Sequence, residues 1–161
     1  MHGIQNQTLT NFFLFITNIG SAWVIVPLSI ALVLYLFYKD ERSKAILTGT
    51  TIFLAATLCE LLKIMVGRSR PSNALTSEII TQSFPSWHAM MSLLFFLILI
   101  FLYKDEIRNK LKRNTFTSAC IALIILISFS RLYLNVHWLT DVIAGLILGT
   151  IFALIFRKLK K

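Results

Sequence analysis

Long apolar runs separated by short polar segments organise this chain. Five runs stand out, at residues 11–37 (interrupted by Gly20 and Pro27), 45–66, 87–103, 116–134 and 138–156. Each is near or above the roughly 20 residues a helix needs to cross a bilayer. The pattern predicts an all-α polytopic membrane helix bundle with about five transmembrane helices. The first run is longer than a bilayer requires, which predicts a tilt, a kink at Pro27 or a preceding interfacial turn. It is not read as a secretory signal, because it lacks a basic n-region and its apolar stretch is too long. With no linker, obvious repeat or low-complexity segment, residues 1–161 read as one integral membrane domain.

Composition strengthens this picture. Hydrophobic residues make up 57% of the chain and charged residues only 14%, with a mean hydropathy of +0.76, against about 25% charged in an ordinary soluble domain. The formal charge of +9 invites a nucleic-acid reading, but the places of the charges exclude it. Lys39, Arg42 and Lys44 follow the first run; Lys104, Arg108, Lys110, Lys112 and Arg113 follow the third; Arg157, Lys158, Lys160 and Lys161 follow the fifth. All fall on one side of the membrane, which the positive-inside rule makes cytoplasmic. The N-terminus is therefore expected outside and the C-terminus in the cytoplasm, with some attraction of the basic ends to anionic lipid.

Lys63, Arg68, Arg70 and Arg131 remain for the outer face. They lie in "KIMVGRSRP" (63–71) and at the start of "SRLYLNVHWLTD" (130–141), and "FPSWH" (84–88) opens on the same side. Distant helix ends thus converge on one site. Charges at bilayer depth cost about 2.5–3.5 kcal/mol each, so a cluster of them implies pairing or function. Lys63, Arg70 and Arg131 outnumber Asp141 and Glu60, a surplus that suits a bound dianion, and the planar Arg fork matches phosphate oxygens.

The remaining polar groups supply chemistry. Ser86 stands at an N-cap position, so the backbone N–H groups after it, starting with Trp87, can point at an anion. His88 lies just inside and can donate a proton. His137 and Asp141 are spaced i, i+4; on a helix they share a face, and Asp141 accepts from one ring nitrogen while the other keeps a lone pair as nucleophile or base. The ring is expected to be neutral in the resting site.

These segments resemble signature motifs. "KIMVGRSRP" matches K-x6-R-P, "PSWH" matches P-S-G-H with Trp87 in place of Gly, and "SRLYLNVHWLTD" matches S-R-x5-H-x3-D. Together they resemble the type 2 phosphatidic acid phosphatase superfamily, which includes lipid phosphate phosphatases and, more distantly, vanadium haloperoxidases. The motif-bearing core runs from about 60 to 145. The resemblance implies that His137 attacks phosphorus to form a phosphohistidine, that Asp141 orients it, and that His88 protonates the departing oxygen and then activates water. It implies that Lys63, Arg70, Arg131, Ser86 and the Trp87 backbone N–H hold the phosphoryl oxygens. Family members use no metal, and the sequence shows no cluster with metal-ligand spacing; no cofactor is expected.

Other residues carry plainer readings. Glu60, three residues before Lys63, supports it as an ion-pair partner. Arg68 reads as a solvated loop cation, and Trp87 as either a wall of the site or an interfacial belt aromatic like Trp23 and Trp138. Cys59 and Cys120 read as free, buried thiols, and Gly145 and Gly149 as close packing within the bundle. Leu75, Ile79 and Ile80 are expected on one face of a short lid helix within 67–84.

With so little extramembrane chain, the substrate is expected to be a membrane lipid phosphate entering from the bilayer. Polyprenyl diphosphate, lipid A 1-phosphate, phosphatidylglycerol phosphate and phosphatidic acid are the candidates the resemblance offers. The place expected is a bacterial cytoplasmic (inner) membrane, with the site facing the periplasm or exterior. A phosphotransferase using the same phosphohistidine, or a non-catalytic lipid-binding membrane protein, is the alternative.

Overall fold

A computed structural model describes residues 6–75 and 81–160. Ile79 and Ile80 of the expected lid lie outside them, as does Lys161. The described residues form six helices and no strand: α1 (Gln7–Ile19), α2 (Ala22–Tyr38), α3 (Arg42–Val66), α4 (Trp87–Tyr103), α5 (Lys110–Tyr133) and α6 (Leu139–Leu159). Four helical stretches are long and apolar enough to cross a membrane: Gln7–Tyr38, taken through the α1–α2 corner, Arg42–Val66, Lys110–Tyr133 and Leu139–Leu159. The fifth apolar helix, α4, has 17 residues, about 25 Å at 1.5 Å per residue.

The first apolar run breaks at Gly20–Ser21 and not at Pro27. A Cβ on Gly20 would sit 2.5 Å from Cγ2 of Ile127 and 3.4 Å from Cδ2 of His88, so a residue without a side chain lets the corner lean on α5 and the site. Asn6 caps α1 by accepting the Thr8 N–H at 3.0 Å. Helix α2 runs on through Pro27, which removes a single backbone donor. Helix α5 begins at Lys110, earlier than the apolar run at 116, because Asn109 accepts the Lys112 N–H at 3.1 Å and the basic first turn extends the helix beyond its apolar part. At the end of α3, Gly67 adopts φ +59° and returns its N–H to the Lys63 carbonyl at 2.9 Å, a left-handed cap that favours glycine.

Helix α4 is the centre of the bundle. Met90, Met91, Leu94 and Ile98 are almost fully buried, and α4 packs against α2, α3, α5 and α6. A helix that is apolar all round belongs inside. The outer helices instead expose Trp23, Phe53, Ile64, Ile125 and Ile147, the surface expected of helices facing lipid. Its closest neighbour is α6, where a Cβ on Gly145 would meet the Ser86 carbonyl oxygen at 2.7 Å and one on Gly149 the Met90 carbonyl oxygen at 2.7 Å. The small-residue stripe thus serves packing inside the chain. Cys59 and Cys120 are free and buried.

Alternation of the helices gathers the C-terminal ends of α3 and α5 and the N-terminal ends of α4 and α6 at one end of the bundle. The basic turns around 39–44 and 104–113 and the end of α6 lie at the other.

Candidate active site

The gathered helix ends enclose a cavity of about 470 Å³, lined by Lys63, Arg70, Trp87, His88, Arg131 and His137 among others. Lys63 comes from the last turn of α3 and Arg131 from the last turn of α5. Trp87 and His88 open α4, and Arg70 and His137 come from the connecting segments. Glu60 is the carboxylate on the lining; its Oε1 lies 3.9 Å from Lys63 Nζ, and its side chain is 53% exposed. Among the described residues three cations thus share the lining with one loosely paired carboxylate, a positive surplus.

His137 precedes α6 and does not lie on it. Asn135 turns the chain with φ +52°, and Trp138 is the N-cap of α6. The expectation that His137 and Asp141 share a helix face is corrected here, because Asp141 turns its Oδ2 back onto the Trp138 N–H at 2.9 Å. The His137 Nδ1 to Asp141 Oδ2 distance is 3.6 Å, beyond a hydrogen bond. Ser83 stands between them: its hydroxyl donates to Asp141 Oδ2, and its Oγ is 3.4 Å from His137 Nδ1. The second oxygen of Asp141 accepts from Arg68 at 2.8 Å.

The other ring nitrogen faces the cations. Arg70 Nη1 lies 3.1 Å from His137 Nε2 and donates to the Val136 carbonyl at 2.7 Å, while its Nε donates to the Thr81 carbonyl at 2.8 Å. Burial, then Arg131, Arg70 and Lys63, lower the His137 pKa to about 2. The ring is therefore neutral at rest, with the Nε2 lone pair held by a guanidinium. Burial also lowers the Arg70 pKa, opposed by Asp141. Arg131 is 4% exposed and donates to Thr17 Oγ1, and its Nε has no partner among the described residues.

Ser86 occupies its expected N-cap position, accepting the Ala89 N–H at 3.5 Å, and its own N–H binds the Asp141 carbonyl at 3.0 Å. It is fully buried and is not on the cavity wall. The first N–H groups of α4, including that of Trp87, lack helical acceptors by the geometry of a helix start. Among the described residues no group of His, Cys, Asp and Glu could hold a metal ion.

Sequence reasoning missed two residues. Arg68, read as a solvated cation, binds Asp141 and the Thr140 hydroxyl, and its guanidinium lies 5.4 Å from the Trp138 ring centre. Ser83 was not singled out at all. The one available signal was their position beside the motifs, in "GRSRP" and "SFPSWH". Trp87 is a wall of the site and also of a second, apolar groove of about 410 Å³ between α2 and α3, lined by Val26, Val33, Ile52 and Met91 among others.

A family model described as the PAP2 superfamily matches residues 44–161. The lipid A 4'-phosphatase of Porphyromonas gingivalis is 31% identical, over 94% of this chain and 66% of its own length. The undecaprenyl-diphosphatase of Sulfolobus acidocaldarius is 27% identical, over 91% of this chain and 68% of its own. The chain thus spans about two thirds of the length of these relatives. The crystal structure of the PAP2-type phosphatidylglycerolphosphate phosphatase from Bacillus subtilis superposes with a TM-score of 0.87 over 98% of this chain and 79% of that one, at 23% identity, a likeness of fold.

Proposed function

The chain belongs to the PAP2 superfamily of lipid phosphatases, hydrolases of phosphate esters, and from that premise we propose that it cleaves a phosphate monoester or diphosphate of a cell-envelope lipid through a phosphohistidine on His137. The observation that carries the reading is the cavity in which Lys63, Arg70 and Arg131 surround a neutral His137 whose Nε2 faces Arg70 at 3.1 Å.

Phosphate oxygens entering this field take over the Arg70 donor, which frees the Nε2 lone pair to attack phosphorus. The N–P bond forms as the bond from phosphorus to its ester or bridging oxygen breaks, and His88, which takes up a proton as the bound phosphate dianion offsets the surrounding cations, gives that proton to the leaving oxygen. Water then attacks the phosphohistidine; His88 takes the water proton back, the N–P bond breaks, and inorganic phosphate leaves. Lys63, Arg70, Arg131 and the first N–H groups of α4 stabilise the charge that shifts onto the phosphoryl oxygens. Ser86 supports the same site from behind, by capping α4. Asp141 orients His137, and Glu60 offsets Lys63. The chain's own cations do the electrostatic work, so the reaction is expected to need no metal.

Relatives acting on lipid A, undecaprenyl diphosphate and phosphatidylglycerophosphate share one substrate chemistry, a phosphate on a long hydrocarbon. The apolar groove beyond Trp87 supports passage of that hydrocarbon from the bilayer. Counting α1–α2 as one crossing and α4 as another gives five, with the N-terminus outside, the basic turns in the cytoplasm and the site at the outer face of a bacterial inner membrane.

The test is phosphate release by detergent-solubilised protein in excess chelator, from polyprenyl diphosphate, phosphatidylglycerol phosphate, phosphatidic acid and lipid A. Release that survives chelation and disappears in His137→Ala is expected. Equal release by the variant, or none from any lipid, refutes the phosphohistidine reading. A phosphorylated acceptor in place of free phosphate identifies a transferase.

A further inference from the structure

We propose that Ser83 is a positioning residue through which Asp141 acts on the nucleophile: its hydroxyl accepts the Nδ1 proton of His137 and donates its own proton to Asp141 Oδ2. The proposal rests on the phosphohistidine reading above and adds a residue that the three motifs do not contain.

The geometry fixes the direction of each bond. An ionised carboxylate only accepts, so the close contact between Ser83 Oγ and Asp141 Oδ2 places the serine proton on the side of Asp141. The serine lone pairs are then left for Nδ1, 3.4 Å away, and Nδ1 must carry the ring proton to use them. That tautomer is the one in which Nε2, facing Arg70 at 3.1 Å, has a free lone pair. Asp141 has little capacity for His137 directly: it is fully buried, 3.6 Å from Nδ1, and already accepts from Arg68, the Trp138 N–H and Ser83.

Ser83 is itself fully buried, and its N–H is fixed by the Arg68 carbonyl at 2.8 Å. The hydroxyl is therefore held in place by both its neighbours and its backbone. When Nε2 bonds to phosphorus the ring becomes cationic, Nδ1–H becomes a stronger donor, and the chain from Nδ1–H through Ser83 to Asp141 shortens and strengthens. The relay thus favours the intermediate over the resting enzyme.

Ser83→Ala removes the hydroxyl; Ser83→Thr keeps it. Both are compared with the parent protein and His137→Ala for phosphate release and for ¹⁵N chemical shifts of labelled histidine in detergent. Ser83→Ala is expected to lower kcat on the order of 10- to 100-fold, the range for a misplaced reacting group. KM should stay within a few-fold, Nδ1 should lose its predominantly protonated signature, and Ser83→Thr should restore that signature. A parent-like kcat in Ser83→Ala, or a loss of kcat with the Nδ1 signature unchanged, overturns the proposal. Activity surviving in His137→Ala instead overturns the phosphohistidine reading, and the histidine shifts still report on the Ser83 bond in that case.

Discussion

Gly145→Ala probes whether the packing of α6 on α4 is what holds His88 and His137, the proposed catalytic pair, in register. A methyl group at this position would sit 2.7 Å from the Ser86 carbonyl oxygen and 3.2 Å from the Met90 nitrogen, about 0.7 Å inside the ordinary contact limit of 3.4 Å to the first. Both contacts are backbone, so neither can swing away, and the start of α4 must move or α6 must retreat. Trp87 and His88 follow Ser86 directly, and Asp141 lies one turn before Gly145. A displacement of that size therefore separates His88 from His137. With about a hundredfold loss per ångström of misplacement, kcat is expected to fall roughly 10- to 30-fold, and overpacking should cost about 1–3 kcal/mol of stability. The assay is phosphate release beside a fluorescence-monitored melt in detergent. Gly49→Ala is the control, since its methyl group would meet only Val33 Cγ2 at 3.7 Å. Wild-type kcat and melting in Gly145→Ala, or equal losses in Gly49→Ala, would refute the argument.

Further outcomes follow from the same geometry. Arg68→Gln strips the buried Asp141 of its cationic partner; because the Arg68 side chain is about one third exposed, the cost should fall below the 3–5 kcal/mol of a fully buried pair, at roughly 1–3 kcal/mol. A melt unchanged from wild type would contradict it. Trp87→Gly removes the wall shared by the cavity and the apolar groove, so KM for a long-chain lipid should rise about tenfold or more, while a short-chain phosphate shows little change; a uniform effect on both would refute the shared-wall argument. His137, with its pKa lowered to about 2, should show neutral-ring ¹⁵N shifts from pH 8 down to pH 5. The unfolded chain binds a proton there below pH 6.5 and the folded one does not, so this residue makes stability fall as pH drops through 6.5, by up to about 1.4 kcal/mol per pH unit. A ring titrating near 6.5 in the folded protein would show that burial and the three cations do not govern it.

What the sequence discloses and what it hides divide along the range of the interactions. The run 87–103 coincides with α4 because its start is local: a Pro-Ser pair before an unbroken apolar stretch caps itself. Lys63, Arg70 and Arg131 could be gathered in advance because a charge at bilayer depth demands a reason wherever it falls. The break at Gly20 was not legible as the decisive one, since its cause is Ile127 on a helix far along the chain. Spacing i, i+4 made His137 and Asp141 look like one helical face, but spacing says nothing of where a helix starts, and α6 begins after His137. Arg68 and Ser83 take their roles from Asp141, 73 and 58 residues away. Beyond their place beside the motifs, their neighbours in sequence carry no trace of that partnership.

The partition of charge gives those two residues a place in the proposed chemistry. Left uncompensated, a buried Asp141 would cancel one of the three cations that face the cavity, and would pull His137 toward its protonated, non-nucleophilic form. Arg68 binds one carboxylate oxygen, and the Trp138 N–H and the Ser83 hydroxyl bind the other. The charge of Asp141 is thereby balanced behind the cavity wall, since neither it nor Arg68 lies on the lining. Lys63, Arg70 and Arg131 keep most of their attraction for an anion, and among the described residues Glu60 is the carboxylate on the lining that opposes them. On the proposed mechanism an arriving dianion meets a positive field with the neutral His137 ring inside it, two conditions that a carboxylate facing the cavity would spoil together.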